Sequence, residues 1–232
     1  MQKSNFYEEP IGESVVIKLD HHIGSRSLTN FYRNDAKFQS PLISFTQYYQ
    51  LFRGELKTHR SPKLIFRASR DGFSEVEFRK RCEDQGKIVI IVKSKGGDLF
   101  GGYTKETLKL DQRGSNVKDE ESFTFRFDDN TLYIFRLMHD HNIHALYRYS
   151  SLYLFAFGYC FWVCGDANTS TYSSSHNATQ DYILPECKLP QREINQVFDD
   201  EFPNNIVPDE KRQYFGGFNF LVEDFEVYKV VE

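Results

Sequence analysis

Three histidines and an aspartate crowd one short segment, His139, Asp140, His141 and His144, and imidazole with carboxylate is a ligand set that suits zinc. A tetrahedral site needs a further ligand block at a recognisable spacing. The segment instead sits between two strand-like stretches in polar surroundings, so it reads as an exposed turn. Cys160 and Cys164 stand at even spacing, on one face of a strand, but two thiols do not complete a metal site, and buried cysteines behave as small hydrophobes. Ser173-Ser174-Ser175-His176 offers hydroxyls beside an imidazole within a low-complexity loop, with no strand–nucleophile–helix elbow. Lys95-Gly96-Gly97-Asp98 is too short for a phosphate loop and no helix follows it. Cys82, beside Arg79, Lys80 and Arg81, has the electropositive flank that a reactive thiolate needs, yet helical spacing turns it inward with Phe78. The residues predict no catalytic group, no cofactor and no metal.

The elements around these groups are written in local signals. Ser44 and Gln47 form a capping box, with Ile43 and Tyr48 placed as a hydrophobic staple. Phe45, Tyr48, Tyr49, Phe52 and Leu56 follow at helical spacing and predict one buried face. Leu64-Ile65-Phe66-Arg67-Ala68 reads as a strand entering a turn at Arg70-Asp71-Gly72. A second helix starts at Ser74 with Glu77 as its box partner and Gly86 as its C-cap. Ile88-Val89-Ile90-Ile91-Val92 is a continuous apolar run. It turns at Lys95-Gly96-Gly97-Asp98 and returns through Leu99-Phe100-Gly101-Gly102-Tyr103.

Phe123, Phe125 and Phe127 alternate with polar residues, as a half-buried strand does, and Asp128-Asp129-Asn130 turns the chain into Leu132-Tyr133-Ile134-Phe135. Tyr147 to Phe157 and Tyr159 to Cys164 are further strands around Gly158. Residues 166–180 read as a Ser/Thr/Asn-rich surface loop, 185–213 as a charged, proline-bearing insertion, and Phe218 to Val231 as a closing strand. Residues 1–39 lack sustained periodicity and read as an N-terminal arm, leaving 40–232 as one domain. Helices packed on a mostly antiparallel sheet system, an α+β fold, follow from the pattern.

Aromatic residues make up 16% of the 232 residues, with 22 Phe and 14 Tyr, a composition that suits pleated, half-buried surfaces. The net charge of −4 argues against a general nucleic-acid or anionic-membrane binder. The charge is uneven. Between Arg53 and Lys95 twelve Lys and Arg meet six Asp and Glu, whereas Pro185 to Glu232 carries eleven acidic against five basic residues. The two halves could steer a partner or dock on each other. No apolar run reaches bilayer-spanning length, and the polar start lacks a signal-peptide core. The expected location is cytoplasmic, where the cysteines remain thiols.

Physical roles can be assigned to the densest motif. Gly72, between a strand and a helix, predicts a positive φ, and Asp71 an acceptor for nearby amides. Gly101 and Gly102 inside a strand predict a bulge or a close backbone approach. Glu226 among Phe225, Val227 and Val230 needs a donor if buried, and Arg67 or Arg70 is the expected one.

The segment Leu64 to Ser74, with Arg67-Ala68-Ser69-Arg70-Asp71-Gly72-Phe73-Ser74, resembles the opening signature of the TLDc family. Phe78 and Cys82, the Ile88 to Ser94 strand, Phe100-Gly101-Gly102-Tyr103, Ser122-Phe123-Thr124-Phe125 and the closing Phe225 to Val230 follow in the family's order, over residues 41–232. Two regions depart: Phe157 to Trp162 keeps one glycine of a glycine-rich family stretch, and 185–213 is longer than typical. The resemblance implies a sandwich of two antiparallel sheets flanked by helices. It further implies a non-enzymatic module that binds and regulates the vacuolar proton-pumping ATPase and is linked to oxidative-stress protection, at vacuolar or endolysosomal membranes. The alternative partner is another large complex, cytoskeletal or ciliary, of which the chain would be a structural subunit.

Overall fold

The computed structural model describes residues 38–109, 116–137, 145–147, 153–158, 160–175, 182–183, 215 and 219–231. Contacts divide the chain into Met1–Lys37 and Phe38–Glu232, and everything described belongs to the second unit. The His139-Asp140-His141-His144 candidate, His176, the arm before Phe38 and the 185–213 insertion lie outside the described residues.

Helix α1, Phe45–Tyr48, begins at Ser44, whose side chain accepts from the Gln47 amide while the Gln47 side chain accepts from the Ser44 amide. It continues as a π-helix over Tyr49–Glu55. There the predicted face changes. The wider turn brings Tyr48, Leu51 and Phe52 together into the core, while Phe45 stays 39% exposed. The Leu56 amide reaches back five residues to the Leu51 carbonyl at 2.9 Å.

Strand β1, Lys63–Arg67, runs into a one-turn helix α2, Ala68–Asp71, and Gly72 at φ +102° separates it from α3, Glu75–Cys82. Ser74 caps α3 by accepting from the Glu77 amide at 3.4 Å. The Glu77 carboxylate pairs with Arg81 one turn on, so the reciprocal half of the expected box is spent elsewhere. Gly86 does not make the C-cap. The left-handed positions after the helix are Asp84 at φ 60° and Lys87 at φ 52°.

Among the described residues twelve strands form two sheets. Those after β1 are β2 Ile88–Ser94, β3 Leu99–Thr104, β4 Asn116–Val117, β5 Phe123–Asp128 and β6 Thr131–Leu137, then β7 Leu146–Tyr147, β8 Tyr153–Phe157, β9 Phe161–Cys164, β10 Ser174–Ser175, β11 Tyr182–Ile183 and β12 Val222–Lys229. One sheet is ordered β1-β12-β2-β3-β5-β6-β11 and the other β10-β9-β8-β7-β4. The pairings are antiparallel, as in the Ile90↔Gly102 and Phe225↔Val92 registers. This is the expected two-sheet sandwich.

The larger sheet is buried on both faces, which explains the unbroken apolar run of β2. Ile88, Ile90 and Val92 face a core shared with the second sheet and with Phe66, Phe78, Phe155, Phe161 and Phe225. Val89 and Ile91 face a second core with Tyr48, Leu51, Phe52, Phe125 and Tyr228, roofed by α1 and its π-helical extension. β5 is therefore more than half-buried. Phe123, Phe125 and Phe127 face the helical side, while Thr124 and Arg126 are buried as well.

Of the Ser-rich stretch read as a surface loop, residues 166–172 form turns, whereas Ser174–Ser175 is a buried edge strand. Ser173 and Ser175 are fully buried and Ser174 nearly so, and β10 pairs Ser174 with Trp162. Hydroxyls can close a ladder as readily as they line a loop, and composition alone could not separate the two. No helix among the described residues is long and apolar enough to cross a membrane.

Candidate functional site

The motif residues gather where β1, α2 and β12 meet. β1 lies antiparallel to β12 with Arg67 directly opposite Glu226, so the guanidinium needs no reach to find the carboxylate. Arg67 Nε donates to Glu226 Oε1 at 2.7 Å, and Nη2 lies 2.7 Å from the same oxygen. The other oxygen, Oε2, accepts from Ser40 Oγ at 2.5 Å and from the Tyr228 hydroxyl at 2.9 Å. Glu226 is fully buried, and donors on both oxygens satisfy a charge that would otherwise be costly there. Burial, followed by the charge of Glu226, pushes the Tyr228 hydroxyl above its ordinary range.

Ser40 also accepts from the amides of Leu42 and Ile43 at 3.0 and 3.3 Å, which folds the segment before α1 onto β12. An open cleft of about 600 Å3, lined in part by Gln39, Ser40, Pro41 and Arg67, marks where this cluster meets solvent.

Arg70 takes a different partner. It makes a two-point contact with its neighbour, Nε to Asp71 Oδ1 at 3.0 Å and Nη2 to Oδ2 at 2.7 Å. Asp71 Oδ2 also accepts from the Arg67 amide at 3.0 Å, closing the strand-to-helix corner. The hydrogen bond from Arg70 holds the Asp71 carboxyl below the usual carboxylate range.

Gly72, at φ 102° and ψ 157°, occupies a region open essentially to glycine alone. Gly101 and Gly102 are close approaches without a bulge, for the β2–β3 register runs unbroken through them. A Cβ on Gly101 would lie 2.6 Å from the Phe125 ring on one face, and on Gly102 2.6 Å from the Phe157 ring on the other.

Three participants carried no assigned role in the sequence. Ser40 and Tyr228 complete the Glu226 shell. Asp224 receives the Ser69 amide at 2.8 Å and the Ser69 hydroxyl at 2.6 Å, capping α2 from β12. Tyr228 was discoverable, because i and i+2 share a strand face. Ser40, 186 residues from Glu226, left no local signal.

The thiols are equally engaged. Cys82, Cys160 and Cys164 are buried. Burial pushes the Cys82 thiol well above its ordinary value, and its flanking arginines are committed elsewhere, Arg79 to Glu75 and Glu83 and Arg81 to Glu77 and Asp71. Cys160 contacts Thr124 Oγ1 at 3.5 Å and Cys164 contacts Ser173 Oγ at 3.3 Å. Among the described residues no cluster of three or more His, Cys, Asp or Glu has metal-binding geometry. Chemically the arrangement is a set of closed polar locks that fix the corner between two strands and a helix.

No curated protein matches the chain. A comparison with models of known families does find a match: the TLDc domain, over residues 36–231. The signature-bearing strand, the corner at Asp71-Gly72 and the closing strand that carries Glu226 all fall inside that span, and the chain belongs to the TLDc domain family.

Proposed function

We propose that the chain is a non-enzymatic protein-interaction module that binds and regulates the vacuolar proton-pumping ATPase, in line with the oxidative-stress protection associated with its family. Family membership supports the choice of partner, and the observation that carries the non-enzymatic part of this reading is the occupancy of Glu226. This buried carboxylate in the family motif already holds Arg67, Ser40 and Tyr228 on its two oxygens, and an ionised carboxylate offers about four acceptor sites in all. A general base needs an acceptor open to substrate, and this group's acceptors are turned to the fold. Asp71 and Asp224 are likewise tied to backbone amides. With its motif groups holding the scaffold, the domain acts through its surface. The buried, proton-retaining Cys82 speaks for an indirect protective effect over peroxide chemistry at that thiol.

Affinity purification of the tagged full chain from its own cells, followed by mass spectrometry, tests the reading. ATPase subunits are the expected recovery. Capture of a cytoskeletal or ciliary complex, or of no ATPase subunit under gentle lysis, overturns it.

A further inference from the structure

We propose that the loop over residues 57–62, with Lys63 at the start of β1, is a preformed cationic docking surface for an acidic, carboxylate-rich protein segment, a proposal that rests on the interaction-module reading above. The basic stretch from Arg53 to Lys95 divides sharply once its partners are known. Arg67 is spent on Glu226, Arg70 on Asp71, Arg79 on Glu75 and Glu83, Arg81 on Glu77 and Asp71, and Lys93 on Glu223. Lys57, His59, Arg60 and Lys63 are all exposed, and among the described residues none of the four pairs with a carboxylate. Lys63 stands directly opposite Lys229 in the β1–β12 ladder. Like charges in that position weaken a sheet, so the fold tolerates a local cost to keep cationic charge here.

The loop is held in shape from inside. Arg53, buried beneath it, donates from Nη1 to the Thr58 carbonyl at 2.6 Å, to Thr58 Oγ1 at 3.1 Å and to the Arg60 carbonyl at 3.0 Å. The Thr58 amide and hydroxyl both reach the Phe52 carbonyl, at 2.9 and 2.8 Å, and Lys57 takes a left-handed conformation at φ 51°. A guanidinium bonded to loop carbonyls orders the backbone before any partner arrives, which lowers the entropic cost of binding. The overall charge of −4 selects the occupant. A long polyanion feels the repulsion of the whole molecule, whereas a short acidic segment senses only the local cationic field.

The test uses the full chain with Lys57→Glu, Arg60→Glu and Lys63→Glu combined. Its control, Lys80→Glu with Lys95→Glu and Lys118→Glu, makes the same change in net charge at other exposed positions. Fluorescence anisotropy with a labelled oligoglutamate peptide should show salt-sensitive binding to the wild type and the control, weakened about tenfold or more in the loop variant. Equal weakening in the control overturns the proposal, as does tighter loop-dependent binding of phosphatidylserine vesicles or duplex DNA than of the peptide. Should the reversal variant fail to fold, the three alanine substitutions give the same comparison at smaller amplitude. The purification experiment separates this proposal from the broader one. A loop variant that recovers the wild-type partner overturns the docking surface alone, while a wild type that recovers no partner overturns the module reading.

Discussion

Glu226 shows how a charged residue becomes a structural one. Its carboxylate lies fully inside the core, and the strand that buries it places Arg67 opposite and Tyr228 two residues on. Removing one partner of such a pair leaves the other charge uncompensated, so Glu226→Ala should cost about 3–5 kcal/mol, read from the urea midpoint at constant slope. Arg70 is half exposed and, among the described residues, joined only to its neighbour Asp71, so Arg70→Ala should cost about 1 kcal/mol or less in the same assay.

Asp71 adds a pH dependence with a definite sign. Its folded carboxyl lies below the ordinary 3.8, chiefly through the Arg70 hydrogen bond. The stability it contributes is therefore complete above that value and disappears as pH falls through the folded pKa. Asp71→Asn should flatten the loss of stability below about pH 4, and an unchanged acid limb would contradict this. The thiols give a third test at this scale. Cys82, Cys160 and Cys164 are buried and should react with a disulfide reagent only on unfolding; labelling of Cys82 in the native protein would reopen cysteine chemistry.

At the scale of the element, the π-helical extension of α1 decides which aromatic and aliphatic side chains form the second core. A regular helix on the sequence spacing would bury Phe45 and turn Leu51 aside, whereas the wider turn reverses the two. Leu51→Ala should accordingly cost about 2–5 kcal/mol, and Phe45→Ala less than about 1 kcal/mol, by thermal or chemical denaturation. Comparable losses at both positions would favour the regular helix. The capping box that starts α1 was legible because it needs residues only three apart. The Gly86 C-cap misled for the converse reason, and so did Ser173 to Ser175 within the 166–180 loop. Glycine and serine are permissive, and whether they terminate, turn or pair depends on neighbours that the local sequence does not name.

The whole molecule depends on a strand that arrives last. β12 pairs with β1 on one side and β2 on the other, supplies Phe225 and Val227 to one core and Tyr228, with Val230 just beyond the strand, to the other, and carries both Asp224 and Glu226. Truncation before Asn219 should therefore abolish cooperative folding, with loss of a sharp thermal transition by circular dichroism; a soluble, cooperatively melting fragment would show that the remaining strands suffice. The N-terminal side is drawn into the same centre, since Phe38 stacks on Tyr48 at 4.0 Å and Ser40 reaches Glu226.

By itself the sequence determined the longer strands and the starts of the two capped helices, where the hairpin at Gly97 turns, that Gly72 needs a positive φ, and which family signature the chain bears. Each of these rests on interactions among residues a few positions apart. Only the tertiary structure decided that the closing strand lies inside the larger sheet, that this sheet has a core on each face, and that Arg67 rather than Arg70 meets a carboxylate 159 residues away. It also separated the cations spent on internal carboxylates from those left facing solvent. The reason is physical: propensity and capping act along the chain, whereas the pairing of strands and the satisfaction of buried charge are settled only when distant segments share the same space.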